Sequence, residues 1–248
     1  CLNPNKIRRQ TDMARFKKFT QPAVCNELRH NARQIKNNSN TDIDTSRTHL
    51  NYNLAPKRDM TDYQYFKQRK SELYCMNRAD VKVLIGWIVT APEDLKSEDE
   101  SAFFKATYDF MEERYGKENV VQAYVHYDEG KQILTEDRWG NSVETTIGRP
   151  HIHFCFIPAT EDTNPKHQQQ EKICANNVLK PDIYRFHPEL QEYLDSKGLH
   201  VSVLNGITQK NGRNYTVEEL KQQTDLLQEL ERLRKLEQKY KLEHEYKH

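Results

Sequence analysis

At 248 residues, with a net charge of +1, 30% charged side chains and a mean hydropathy of −0.99, the chain has room for one sizeable core under a wet surface. Its longest strongly apolar run, "VLIGWIV" at 83–89, falls far short of the roughly 20 residues that span a bilayer, and the basic start "CLNPNKIRRQTDMARFKKF" does not read as a signal peptide. Five widely spaced cysteines without a C-x-x-C pair suit free thiols in a reducing cytoplasm, and the lack of G-x-x-x-x-G-K-[ST] and G-x-G-x-x-G argues against nucleotide hydrolysis.

The basic charge is concentrated at the start. Residues 1–36 carry nine lysines and arginines against Asp12 and Glu27, which suits either a solvated arm or a surface for a phosphate backbone. Within that segment "ARFKKF" (14–19) predicts a short strand. "TDYQYFKQRKSELYCM" (61–76) has helical spacing, with Tyr63, Tyr65, Phe66, Leu73 and Met76 as its apolar positions. "KVLIGWIVT" (82–90) predicts a buried strand. Ser97 and Glu100 form a capping-box pattern, opening a helix that buries Phe103, Phe104, Thr107, Met111 and Tyr115 and stops at Gly116.

"VVQAYVHY" (120–127) is the next strand, and "KQILTEDRWGNSVETTI" (131–147) reads as a β-hairpin turning near Trp139, Gly140 and Asn141. A strand over "HIHFCF" follows, then a polar stretch, a short helix ending at Gly198, and a strand "HVSVL" (200–204). From Val217 onward the pattern is one long charged helix with leucines at 220, 226, 227, 230, 233 and 236, more in keeping with a solvated helix than a coiled coil. Strands separated by single helices predict an α+β fold, an antiparallel sheet covered by helices on one face.

The chemistry gathers around histidines. In "GRPHIHFCFIPAT" (148–160) strand alternation puts His151 and His153 on one face and Ile152 on the other. His126 closes its own strand, and "HYDE" places Asp128 and Glu129 directly after it. If the two strands are neighbours, three imidazoles converge, a donor set suited to a first-row divalent metal with positions left for water or substrate. Either Glu129 or Asp128 could orient an imidazole through its second nitrogen. A second constellation lies upstream in "RHNAR" (29–33) and "NTDIDTSRTHLNYNL" (40–54). It offers His30 as nucleophile or base, Arg29, Arg33 and Arg47 as cations, and Tyr52 as an aromatic in a polar setting.

Together these segments resemble the three motifs of the MobV-type relaxases, the plasmid mobilisation and recombination (Pre/Mob) proteins. "HNAR" resembles the first, "IDTSRTHLNYNL" the second, and "HYDE…PHIHFCFIP" the third, with "ERYGKENVVQAYVHYDE" and "NGRNYTVEELK" also similar, over about residues 13–222. Two departures stand out. The family's compact H-x-D-E-x-x-P-H-x-H is here opened by twenty residues between Glu129 and Pro150, and Ala32 stands where many relatives carry an acid.

The resemblance implies a relaxase-type (HUH) ferredoxin-like antiparallel sheet, with residues 1–12 as an N-terminal extension, 13–212 as the catalytic domain and 213–248 as the charged helix. It implies nicking and rejoining of one plasmid strand at the origin of transfer, with His126, His151 and His153 holding manganese or magnesium rather than the zinc that imidazole softness would favour. Glu129 joins His30 as a catalytic residue. His30 is the implied nucleophile, although relaxases of other families attack with tyrosine, which makes Tyr52 the competing candidate.

Arg29, Arg33, Arg47 and Lys17 are expected on phosphates and Tyr52 and Tyr115 on bases, although Tyr115 also closes the apolar face of its helix. The expected partners are origin DNA, single-stranded or as a hairpin, and the conjugative coupling machinery. Two other readings stay open: a three-histidine zinc hydrolase of a small substrate, which leaves the basic arm unused, and a non-catalytic origin-binding protein.

Overall fold

The structure, a computed structural model, describes residues 13–35, 42–136 and 142–203, with the backbone alone for 131–136 and 142–147. The chain divides into two units, Cys1–Asn205 and Gly206–His248, and every described residue belongs to the first. The expected extension over 1–12, the boundary at 212–213 and the long C-terminal helix lie outside the described residues. Among those described, no helix is long and apolar enough to cross a membrane, and Cys25, Cys75, Cys155 and Cys174 are free thiols.

In chain order the elements are β1 (Ala14–Thr20), α1 (Gln21–Asn31), a 3-10 turn (Thr45–Leu50), β2 (Tyr52–Asn53), α2 (Asp62–Glu72) and β3 (Lys82–Thr90). Then come α3 (Glu100–Tyr115), β4 (Val120–His126), β5 (Lys131–Glu136), β6 (Ser142–Ile147), β7 (His151–Phe156), β8 (Ala159–Glu161), β9 (Glu171–Ile173) and α4 (Ala175–Ser196). Five strands form an antiparallel sheet in the order β1-β3-β7-β4-β2, while β5-β6 and β8-β9 are separate hairpins.

Alternation along the central strands builds two cores. Ile85, Trp87, Val89, Ala123, Val125, Ile152, Phe154 and Phe156 meet α3 and α4 on one face. Leu84, Val121 and Cys155 meet Val24 and Leu28 of α1 and Phe66 of α2 on the other. The sheet is therefore covered on both faces, not on one. Gly86 marks where Phe19 and Cys155 press closest, since a Cβ there would come within 3.2 Å of the Phe19 ring.

Several local expectations are corrected. α2 begins with a capping box between Thr61 and Gln64 but ends at Glu72, so Leu73 is buried beyond the helix and Met76 is 47% exposed. No capping box opens α3: Ser97 lies inside a 3-10 turn (Ser97–Asp99) and the helix starts at Glu100. The predicted end holds, with Gly116 at φ 87 leaving the helix in the left-handed region. α4 is not short. It runs 22 residues through Pro181 and Pro188, because Leu179, Phe186, Leu190 and Leu194 form a buried stripe at helical spacing.

The expected strand at 200–204 does not form among its described residues. The Gln191 side chain donates to the Val201 carbonyl and accepts from the Val203 N–H, and Asp94 accepts from the Ser202 N–H. Side chains satisfy that backbone in place of a ladder. The β-hairpin over 131–147 is present, Lys131 pairing with Ile147 and Glu136 with Ser142, and its expected turn lies outside the described residues.

Candidate active site

β4 and β7 are neighbours, and their register places His126 opposite His151 and Tyr124 opposite His153. All three histidines thus share the sheet face that carries α1. Their ring centroids are separated by 5.5 Å (His126–His151), 4.7 Å (His126–His153) and 4.9 Å (His151–His153). With Glu129 they form a group whose ligand-type atoms all lie within 4.8 Å of one another.

A hydrogen bond fixes the tautomer of His126. His126 Nε2 lies 2.8 Å from the Asn31 carbonyl oxygen, which can only accept, so that nitrogen carries the proton. The lone pair is left on Nδ1, which is buried without a hydrogen-bond partner among the described residues, as is Nε2 of His153. Burial drives His126 down to about 4 and His153 well below the usual imidazole range, with neighbouring positive charge adding to the effect. His151 Nδ1 is 3.2 Å from the Arg149 carbonyl oxygen, while its Nε2 faces Glu129 Oε2 at 2.8 Å. Nε2 and the carboxylate oxygen are both atoms that can ligate a divalent cation, and a histidine ligand commonly sets its other nitrogen on a carbonyl such as that of Arg149. Two orphaned nitrogens, a facing nitrogen and a carboxylate fit a divalent cation.

Asp128 and Glu129 play different parts. Asp128, fully buried, receives Arg33 Nε at 3.0 Å, Arg33 Nη2 at 2.7 Å and Thr48 Oγ1 at 2.8 Å. Burial alone would raise its carboxyl, yet Arg33 and Thr48 hold it at about 2. Glu129 is likewise pushed up by burial and held at about 2 by His151 and Arg33, whose Nη2 lies 3.4 Å away. Glu129 therefore faces His151, and Asp128 anchors Arg33.

α1 presents His30 one residue before its end. Arg33 closes this helix in the left-handed conformation (φ 55), its N–H bonded to the His30 carbonyl and the Gln34 N–H to that of Arg29. Glycine normally fills that place. Arginine occupies it here because its guanidinium reaches Asp128 while Nη1 also donates to the His30 carbonyl. His30 is held below the usual imidazole range, first by partial burial and then by Arg33, with Lys17 adding to it and Glu129 and Asp128 opposing.

The expected DNA-contacting residues separate. Lys17 shares the histidine face, paired opposite Gly86, and is exposed, as is Arg29; Arg47 is half-buried in the 3-10 turn. Arg33, expected on a phosphate, is turned to Asp128 and bonds it through Nε and Nη2. Tyr52 pairs opposite Val125, so it lies on the face away from the histidines, beside Tyr127, and burial raises its hydroxyl. Tyr115 is 8% exposed, its ring stacked on Phe156 at 3.9 Å and its hydroxyl accepting from Trp87 Nε1 and donating to Asp182 Oδ2. It is a core residue, and the base contact expected of it is withdrawn.

Three contributions escape a reading of spacing alone: the Asn31 carbonyl, Thr48, and the strap at 42–44. That strap pairs Ile43 with Glu129, with Asp44 N–H bonded to the Asp128 carbonyl and Gly130 N–H to that of Asp42. The trace they leave in the sequence is that Asn31 lies inside the first motif and Ile43, Asp44 and Thr48 inside the second.

Residues 9–222 match the family model for the plasmid recombination enzyme, Mob_Pre. The chain belongs to that family. It is 27% identical over 224 residues to a plasmid recombination enzyme of Lactiplantibacillus plantarum, covering 87% of this chain and 54% of that one. With the type 1 enzyme of Staphylococcus aureus it shares 30% over 179 residues, 68% of this chain and 38% of the other. The chain thus spans about half, or less, of the length of these curated relatives. Among solved structures it is similar to the MobM relaxase domain (MOBV; Mob_Pre), a manganese-bound crystal structure with oriT DNA. The TM-score is 0.60 at 25% identity, over 84% of this chain and 96% of that one.

Proposed function

We propose that this chain is the relaxase domain of a plasmid mobilisation protein, nicking and rejoining one strand at the origin of transfer through a 5′-phosphohistidine on His30. The observation that carries this reading is the convergence of His126, His151, His153 and Glu129 with two ring nitrogens buried and unpartnered among the described residues. The three imidazoles, with Glu129, would hold manganese or magnesium, and such an ion polarises the scissile phosphate and takes up charge on its oxygens. Zinc would suit the imidazoles as well, and the manganese in the similar relaxase domain favours the first choice.

His30 suits the nucleophile's part on two counts. Its lowered pKa keeps a lone pair available near neutral pH, and it lies in the electrostatic field of Glu129, Asp128 and Arg33. The imidazole nitrogen forms the N–P bond while the P–O3′ bond breaks, and the departing 3′ oxygen takes a proton from water. Re-attack by the 3′ hydroxyl reverses the step, conserving the phosphodiester's energy in the adduct. Tyr52 is disfavoured as an alternative nucleophile because it lies on the other sheet face with its hydroxyl harder to ionise. Lys17, Arg29 and Arg47 remain the candidates for holding the origin strand, single or as a hairpin. The covalent complex would then pass to conjugative coupling machinery in the cytoplasm.

Supercoiled plasmid bearing the cognate origin, incubated with manganese, should yield relaxed circles carrying protein. The adduct should release its DNA in mild acid, because a phosphoramidate is acid-labile where a tyrosyl phosphodiester survives. His30→Ala and His151→Ala should each abolish nicking, the second with origin binding retained. Acid-stable attachment, or full activity in His30→Ala, overturns the nucleophile; tight origin binding with no nick overturns the enzyme.

A further inference from the structure

The insertion that departs from the family pattern enters and leaves the chain between Glu129 and His151, two members of the same cluster. β5 and β6 pair from Lys131–Ile147 outward, so the hairpin's base closes at Gly130 and Gly148, hard against the site. At that base the backbones cross with no room for a side chain. A Cβ on Gly148 would lie 1.9 Å from the Glu129 carbonyl oxygen, 2.7 Å from Gly130 Cα and 2.8 Å from the Glu129 carbonyl carbon. These are backbone atoms, so no rotamer change can relieve the overlap.

Neither strand can yield without moving a cluster member. Residues 129 and 130 are held from the far side, Glu129 bridging to Ile43 and the Gly130 N–H bonded to the Asp42 carbonyl at 2.9 Å. On the other strand, Arg149 supplies the carbonyl beside His151 Nδ1, and the Pro150 carbonyl accepts from the Ala91 N–H at 2.8 Å. Displacing Gly148 therefore drags His151, and displacing Glu129 tears it from the strap. Either displacement acts on the two residues that approach at 2.8 Å, Glu129 Oε2 to His151 Nε2.

We infer that Gly148 is a positioning residue for the metal centre: its bare Cα lets an inserted hairpin close tightly enough to keep Glu129 and His151 in one coordination group. The inference rests on the metal assignment proposed above. It also explains how the insertion coexists with the site: the constraint is one of closure at the base, so excising residues 131–148 and joining Gly130 to Arg149 removes the hairpin together with its need for glycine. That excision leaves Glu129-Gly130-Arg149-Pro150-His151, the compact spacing.

The test is manganese affinity, measured by electron paramagnetic resonance on the full chain without DNA, with a thermal melt of the metal-free protein alongside. Gly148→Ala should weaken manganese binding about 10-fold or more, as loss of support around a ligand commonly does, while the excised variant binds within about threefold of the parent. Parent-like affinity in Gly148→Ala overturns the inference, and so does loss of manganese in a folded excised variant. Should Gly148→Ala fail to fold without metal, its refolding in a manganese series decides: refolding at the manganese level that saturates the parent overturns the inference, and refolding only at about 10-fold more supports it. A parent chain that binds no manganese sinks the metal assignment instead, so the two failures are distinguishable.

Discussion

Arg33 shows how one residue can be placed against its own backbone preference. A left-handed conformation costs a non-glycine residue roughly 1–2 kcal/mol, and the position closes a helix where glycine is the usual choice. The return is the forked pair with Asp128, whose side chain is fully buried and, among the described residues, has Arg33 as the cation that neutralises it. Arg33→Ala leaves that carboxylate buried without its partner and should destabilise the protein by about 3–5 kcal/mol. Arg33→Gly removes the same bonds but relieves the backbone, and should be the milder variant by about 1 kcal/mol. Denaturant unfolding of both checks the order; an alanine variant as stable as the glycine one would show that the backbone carries no strain.

Between elements, the packing of α3 on α4 runs through polar groups as well as rings. Arg114 pairs with Asp182 and Glu189, and the Tyr115 hydroxyl links Trp87 of β3 to Asp182 of α4. Trp87 in turn stacks on Phe186 at 3.8 Å, so a strand and two helices meet at one point. Tyr115→Phe keeps the stack on Phe156 but strands the indole N–H and one carboxylate oxygen, and should cost about 1–3 kcal/mol of stability. Origin-DNA affinity should be unchanged in that variant. A thermal melt with a parallel anisotropy titration checks both, and weakened DNA binding at full stability would return Tyr115 to the DNA surface.

Across the whole molecule the sheet divides the labour. One face, under α3 and α4, is aromatic core; the other carries the histidines, His30 and Lys17, and is where a phosphate backbone should run. Origin binding should therefore fall steeply with salt, and replacing Lys17 and Arg47 by alanine should reduce the log–log slope by about 0.7 for each single-strand phosphate no longer neutralised. Anisotropy titrations across a salt series measure it, and an unchanged slope would remove both cations from the interface.

What the sequence determined by itself was what depends on neighbours a few residues away. Alternation put His151 and His153 on one side of a strand, the left-handed stop at Gly116 ended α3, and the three motifs carried the family. Only the tertiary structure decided that β4 lies beside β7 in the register that adds His126. It alone decided that Tyr52 pairs onto the opposite face, that Arg33 is bonded to Asp128, and that a buried stripe carries α4 through two prolines. The reason is physical. Side-chain periodicity follows from backbone geometry and is written locally, whereas strand pairing, ion pairing and burial are settled between segments as far apart as Arg69 and Glu171, 102 residues, where no spacing rule reaches.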